Sequence, residues 1–176
     1  MSQKSNSFRW FQAPLAALVC LVLDFWSKRW AESNLHLHET KPFIEGFLNL
    51  NLTSNTGAAF SIGKDFGLGM TALATLVTIG IIAWYIVRER EEEKPPALER
   101  IGIGCVLGGA LGNLIDRYSK GSVTDFLDFA FVEFPVFNVA DALINVGIGF
   151  ILIAHLYFLF KEKSSTKIVE AKESSE

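Results

Sequence analysis

Cysteine and histidine are scarce: two Cys and three His in 176 residues. Cys20 and Cys105 each lie inside an apolar run, with no partner at a bridging or metal-binding spacing, which excludes a disulfide framework and a zinc-finger pattern. His36, His38 and His155 form no metal-ligand set, and no H-E-x-x-H is present. There is no G-x-S-x-G elbow for a serine nucleophile and no G-x-G-D segment. Charge is sparse as well, at 20% of residues with a net of −3, so nothing marks a nucleic-acid binder. Hydrophobic residues make up 50% of the chain, 15 of them Phe, and the mean hydropathy is +0.31. So much apolar surface must be buried somewhere, which excludes disorder for the bulk of the chain. A small polytopic membrane protein remains.

Four stretches are free or nearly free of charge over the ~20 residues that cross a bilayer as helix. They run from about 11 to 30, 66 to 87, 97 to 115 and 139 to 160, with Asp24 inside the first and Asp141 at the start of the fourth. The expected fold is therefore an all-α membrane protein of four transmembrane helices, one domain over residues 1–165. An outer segment, 31–65, contains Asn49-Leu50-Asn51-Leu52, whose period of two reads as a strand or hairpin. Asn55-Thr56-Gly57 gives a turn. The polar tail, 166–176, is expected to be cytoplasmic and unstructured. His36 and His38 are expected on one face of the outer segment. Ten of the 16 basic residues fall on the side of the two termini and six on the other, which places both termini in the cytoplasm. The first span does not read as a cleaved signal peptide, because no small-x-small site closes it and Asp24 interrupts it. Val19 before Cys20 also argues against a lipid-attachment site.

Ionisable residues in or beside a span are costly and mark function by default. Asp24 and Lys28, four apart on one helix face, are expected to neutralise each other as a structural pair. Gly104, Gly108 and Gly112 read as a close-packing face, and Asp116-Arg117 as an ion-pair network tying helix ends together. The most informative pattern is Asp125 and Asp141, 16 residues apart and both at the outer boundary. Two close carboxylates cannot both ionise cheaply. One then takes a proton from water while the other protonates a carbonyl oxygen, which is general acid–base amide hydrolysis without a metal or a covalent intermediate. A bland reading competes, in which Asp141 merely caps the fourth helix. Two other classes remain open: a small proton-coupled transporter using Asp24, Asp116 and Asp141, and a non-catalytic assembly subunit whose aspartates pair with Arg117 and Lys28.

Five segments in order resemble the lipoprotein signal peptidases (signal peptidase II) of bacteria. They are Asp24-Phe25-Trp26-Ser27-Lys28, Asn55-Thr56-Gly57-Ala58-Ala59-Phe60-Ser61, Gly108 to Arg117, Val123-Thr124-Asp125-Phe126-Leu127, and Phe137-Asn138-Val139-Ala140-Asp141. The resemblance implies a four-helix membrane aspartyl protease that removes a prolipoprotein signal peptide just before its diacylglyceryl-modified cysteine. It carries the catalytic positions onto Asp125 and Asp141 and leaves Asp128 outside them. It places Asn55, Gly57, Asn113, Asp116, Arg117, Asn138 and Ala140 around the pair, as support or substrate contacts, and matches Asp24 and Lys28 to a polar pair of the first helix. Ala142 departs from the Ser or Thr expected after the second aspartate. The resemblance also implies no cofactor or metal, lipidated prolipoproteins and membrane lipids as partners, a monomer, and a site near the outer face of the bacterial cytoplasmic membrane. On that reading the segment around Phe43–Phe60 cradles the peptide, and Asn55 or Asn138 serves an oxyanion or holds a carboxylate.

Overall fold

The computed structural model describes residues 4–57, 66–91 and 95–173. Ala58 to Ser61 of the second segment and the end of the expected outer segment lie outside them. Four helices, α1 (Lys4–Asn34), α2 (Phe66–Arg88), α3 (Ala97–Lys120) and α4 (Val139–Glu173), alternate in direction. Each contains a stretch long and apolar enough to cross a membrane. The chain is thus a four-span helical membrane protein, as its apolar runs indicate.

Their burial is unequal. The apolar window of α3 is 72% buried within the protein, against 17%, 17% and 11% for α1, α2 and α4. α3 is therefore the central helix, and the others turn large apolar side chains such as Leu76, Val77, Leu152 and Ile153 outward. Glycine is what lets α3 sit there. A Cβ on Gly104 or Gly108 would stand 2.5 Å from the carbonyl oxygens of Ala13 and Ala17 on α1. On the α4 side, one on Gly102 or Gly109 would meet the carbonyls of Gly147 and Ala140 at 2.7 and 2.6 Å. The glycine spacing is a packing feature, and the backbones approach too closely for any side chain.

At the end of the bundle where α2 stops and α3 starts, ion pairs cross between the two helices. Arg88 Nε meets Glu99 Oε1 at 3.2 Å, and Arg100 pairs with Glu89. Glu89, Glu99 and Arg100 are nearly fully buried. Arg88 in the last turn of α2 and Glu99 in the first turn of α3 also suit the two helix dipoles. The polar tail differs from expectation, since α4 continues as helix to Glu173. Extending an existing helix needs no nucleation, and the tail is rich in Lys and Glu, which are good helix formers.

At the other end lies a three-stranded antiparallel sheet, β1 (Thr40–Ile44), β2 (Leu48–Asn55) and β3 (Val123–Phe129), in the order β1-β2-β3. The expected hairpin accounts for the first two strands and turns at Gly46, with φ +71°. The third strand comes from the α3–α4 connection. α3 ends on Gly121, whose left-handed φ of 75° lets its N–H bond back to Arg117 O while the chain turns into β3. One irregularity in the ladder matters for the site. Leu50 pairs with Leu127, but the next pair is Thr53 with Asp125, so β2 carries one extra residue. Paired residues project to one face, so this bulge sets Thr53, and with it Asn55 two residues on, on the face of Asp125.

Candidate active site

Asp125 and Asp141 meet because the loop between them closes on itself. After β3 the chain leaves at Ala130 and returns at Phe137, whose N–H bonds to Leu127 O at 2.9 Å while its own carbonyl accepts the N–H of Leu127 at 2.8 Å. The ring of Phe129 lies 4.9 Å from that of Phe137 and 5.7 Å from that of Phe134, so the return is held by side chains as well. This stitch brings the next residue, Asn138, against Asp125.

Asn138 is the N-cap of α4. Its Oδ1 accepts the N–H of Asp141 at 3.0 Å, and Asp141 Oδ2 accepts the N–H of Asn138 at 3.3 Å. This reciprocal pair is a capping box, with Asp in the position Glu or Gln often takes. The capping role expected for Asp141 is therefore shared, and it occupies one oxygen. The other, Oδ1, accepts Asn113 Nδ2 at 2.8 Å. Asp125, 1% exposed, accepts Asn138 Nδ2 on Oδ1 at 2.6 Å and Asn55 Nδ2 on Oδ2 at 2.9 Å.

The orientation of all three amides is dictated by groups that can only donate. Asn138 Oδ1 faces the backbone N–H of Asp141, and Asn55 Oδ1 faces that of Gly57 at 2.8 Å. Asn113 Oδ1 faces the Lys28 ammonium at 2.8 Å. Each carboxamide must then turn its NH2 toward a carboxylate. Asn138 Nδ2 also reaches Asn113 Oδ1 at 3.1 Å, which joins the two halves of the site. Burial pushes Asp125 up to about 6, and the neighbouring Asp141 charge adds to that rise. The two amide donors and the more distant Lys28 charge oppose it. Asp125 is thus a carboxyl that takes up a proton close to neutral pH.

Gly57 has φ +78°, closing the Asx turn that orients Asn55, and a Cβ there would stand 2.9 Å from Met70 Cγ on α2. The first-helix pair is more than an isolated neutralisation. Lys28 Nζ lies 2.8 Å from Asp24 Oδ2 and 3.3 Å from Asp116 Oδ2, besides its bond to Asn113. Asp24 Oδ1 accepts the N–H of Ala140, a fully buried residue in the first turn of α4, at 3.0 Å. A Cβ on Gly112 would collide with the Asp24 carboxylate, so that glycine makes room for it.

The ion-pair network expected at the outer helix ends runs through Asp116, while Arg117, which as the next residue on the helix faces elsewhere, bonds to a backbone carbonyl. Asp116 binds Lys28, Lys120 at 3.0 Å and the N–H of Thr124 at 3.1 Å. The half-buried Arg117 donates to Asn113 O at 3.4 Å. Sequence reasoning missed Glu32, Lys120 and Thr124. Thr124 Oγ1 donates to Glu32 at 2.7 Å, and Lys120 pairs with Glu32, so α1 and α3 grip the start of β3 one residue before Asp125. Lys120, one helical turn after Asp116, was the available signal. Asp128, an odd number of residues from Asp125, points to the other face of β3 and, among the described residues, accepts a long bond from Asn51 Nδ2, 3.5 Å. His36 and His38 are both exposed, and they stand outside this cluster. Among the described residues, no group of three or more His, Cys, Asp or Glu could hold a metal ion.

The arrangement can hold two carboxylates close together, one buried deeper than the other, with every amide around them locked. That answers the assembly-subunit reading, since Asp125 and Asp141 bond to asparagines and not to Arg117 or Lys28.

Residues 16–158 match the family model described as signal peptidase (SPase) II. A lipoprotein signal peptidase of Thermosynechococcus vestitus is 42% identical over 146 residues, covering 81% of this chain and 87% of its own. One from Gloeothece citriformis is 40% identical, covering 90% and 94%, and one from Fusobacterium nucleatum is 36% identical, covering 83% and 87%. A bacterial membrane enzyme solved by the in meso method at 1.9 Å superposes with a TM-score of 0.71 at 29% identity, covering 82% of this chain and 92% of that one. The transporter alternative finds no support in these matches.

Proposed function

The chain belongs to the signal peptidase II family, and on that premise we propose that Asp125 and Asp141 are its catalytic pair. The protein is an aspartic-type membrane endopeptidase that removes the signal peptide of prolipoproteins just before their diacylglyceryl-modified cysteine. The observation that carries the site assignment is the convergence of three amide NH2 groups, from Asn55, Asn113 and Asn138, on these two carboxylates.

Donors on all four oxygens stabilise the ionised forms, while burial of Asp125 favours its protonated form. The pair is thereby set to share one proton. Asp125, the deeper member, holds it and gives it to the scissile carbonyl oxygen. Asp141, half buried at the helix start, takes a proton from the attacking water as its oxygen bonds to the carbonyl carbon. When the tetrahedral gem-diol collapses, the C–N bond breaks as Asp141 gives its proton to the leaving nitrogen. One gem-diol hydroxyl returns its proton to Asp125, which leaves a carboxylic acid and an amine and restores the singly protonated pair. The bonds that Asn55 and Asn138 donate to Asp125 support a role in holding a carboxylate.

The sheet and the pair lie at the end of the bundle where α1 and α3 finish and α4 begins. The distribution of basic residues puts that end outside, with both termini in the cytoplasm. A substrate anchored by its diacylglyceryl group holds the scissile bond at this level, while its signal helix lies among the spans. A reporter active only outside the cytoplasm should work at a β1–β2 turn insertion and fail after Glu176; the reverse result would overturn the orientation. The substrate class is tested by following cleavage of one prolipoprotein peptide with and without the diacylglyceryl group. Efficient cleavage only of the lipidated form is expected. Equal cleavage of both would contradict the reading.

A further inference from the structure

The geometry points to Lys28 as a positioning residue for the reaction, which acts by locking the Asn113 amide toward Asp141. This rests on the assignment of Asp125 and Asp141 as the catalytic pair, and it goes beyond the structural neutralisation of Asp24. Lys28 is 3% exposed and sits on α1, an element that supplies no catalytic carboxylate. Its ammonium has three donors and no acceptor. One reaches Asn113 Oδ1 at 2.8 Å, another Asp24 Oδ2 at 2.8 Å and the third Asp116 Oδ2 at 3.3 Å. All three are thus engaged, and the ammonium is fixed in place.

The consequence runs through Asn113. The other contact of Asn113 Oδ1 is Asn138 Nδ2 at 3.1 Å, and Asn138 has Asp125 as a closer acceptor at 2.6 Å. Lys28, the closer and the charged one of the two donors on Asn113 Oδ1, is therefore the main group that favours the unflipped amide over the flipped one. Unflipped, Asn113 presents an NH2 to Asp141, which stabilises the ionised carboxylate needed to accept a proton from water. Flipped, it presents a carbonyl oxygen, and a carboxyl facing a carbonyl oxygen holds on to its proton. The charged groups around Lys28 are Asp24, Arg29 and Glu32 on its own helix, Asp116 and Lys120 on α3, Asp141 on α4 and Asp125 on β3. Asp24 and Asp116 partly cancel the ammonium, and Lys120 and Arg29 partly cancel Asp116 and Glu32. What reaches the pair is the fixed amide and a residual positive field.

Removing Lys28 alone leaves Asp24 and Asp116 without this cation, so the test is made in an Asp24→Asn background, where the Asn oxygen can still accept the Ala140 N–H. The purified full chain is assayed on a lipidated prolipoprotein peptide across pH, with rates normalised to folded protein. Asp24→Asn/Lys28→Met should lower kcat about tenfold relative to Asp24→Asn. It should move the pH–rate profile to higher pH by about one unit and leave KM nearly unchanged. Asn113→Ala should lower kcat similarly, and adding it to the double variant should lower kcat no further. Lys28→Arg, which keeps a donor-only cation, should leave the profile at its wild-type position. A profile for Asp24→Asn/Lys28→Met that superposes on the background would overturn the proposal, as would kcat losses that multiply with Asn113→Ala or a Lys28→Arg profile displaced as far as that of the Met variant. Asp141→Asn runs in parallel: if it still cleaves, the catalytic assignment itself has failed. If it is inactive while the Lys28 profiles do not move, only the positioning role has failed.

Discussion

Asp125→Asn and Asp141→Asn should each lower cleavage of a lipidated prolipoprotein by about 10²–10⁴-fold, the range general acid–base catalysis supplies, while the protein still inserts and folds. Asn is close in shape to Asp but neither accepts a proton as a carboxylate does nor delivers one as an acid. The two groups share one proton, so each is useless without the other, and the double variant should be little worse than either single one. Losses that multiply would mean two independent roles. Wild-type activity should be bell-shaped in pH, because only the singly protonated pair works, and both limbs belong to the pair. The sign follows from Asp125, which burial pushes up to about 6. As pH rises through the range where the shared proton leaves, both carboxyls are ionised and activity falls. As pH falls far enough to protonate the second carboxyl, the base is lost. Chelators should leave the rate unchanged, since the carboxylate oxygens are engaged by N–H donors.

Asn138→Ala should be the most damaging change outside the pair. Its side chain holds Asp125, touches Asn113 and caps α4 through the N–H of Asp141. Losing a hydrogen bond to a charged group costs about 1.5–3 kcal/mol, equivalent to a ~10–100-fold fall in kcat/KM if it is expressed at the transition state. Loss of the cap adds about 1 kcal/mol of instability. Purified Asn138→Ala should therefore show both a lower thermal midpoint and a kcat/KM deficit that persists well below that midpoint. A variant with an unchanged midpoint or full activity would contradict the double role. Asn138→Asp should restore the cap but not the activity, since it places a third carboxylate where a donor is needed.

The four spans were legible because apolar length is a property of each segment alone, and α1 to α4 fall where the uncharged runs lie. The β1–β2 hairpin was legible in part, from the alternation through Leu50 and Leu52. β3 was not, because Val123 to Phe129 is buried on both sides of its ladder for its first four residues and shows no polar alternation. The bulge opposite Leu127 and Asp125 was not legible either, since it depends on the pairing of two strands far apart in the chain. The same holds for the site. The acids and amides could be named from the residues, but their division of labour could not. Asp116 chose Lys28 and Lys120 over its neighbour Arg117 because of where α1 passes α3. Asp24 bonds to α4, 116 residues away, only because Gly112 leaves the space.

The most direct measurement compares Asp125→Asn with Asp128→Asn on one lipidated prolipoprotein substrate, at equal amounts of folded protein. The two residues share a strand and a residue type and differ in the face they occupy and the donors that meet them. Asp128→Asn should keep most of the wild-type rate while Asp125→Asn loses nearly all of it. Loss of cleavage with Asp128→Asn and its retention with Asp125→Asn would contradict the catalytic assignment, even with membership of the family intact.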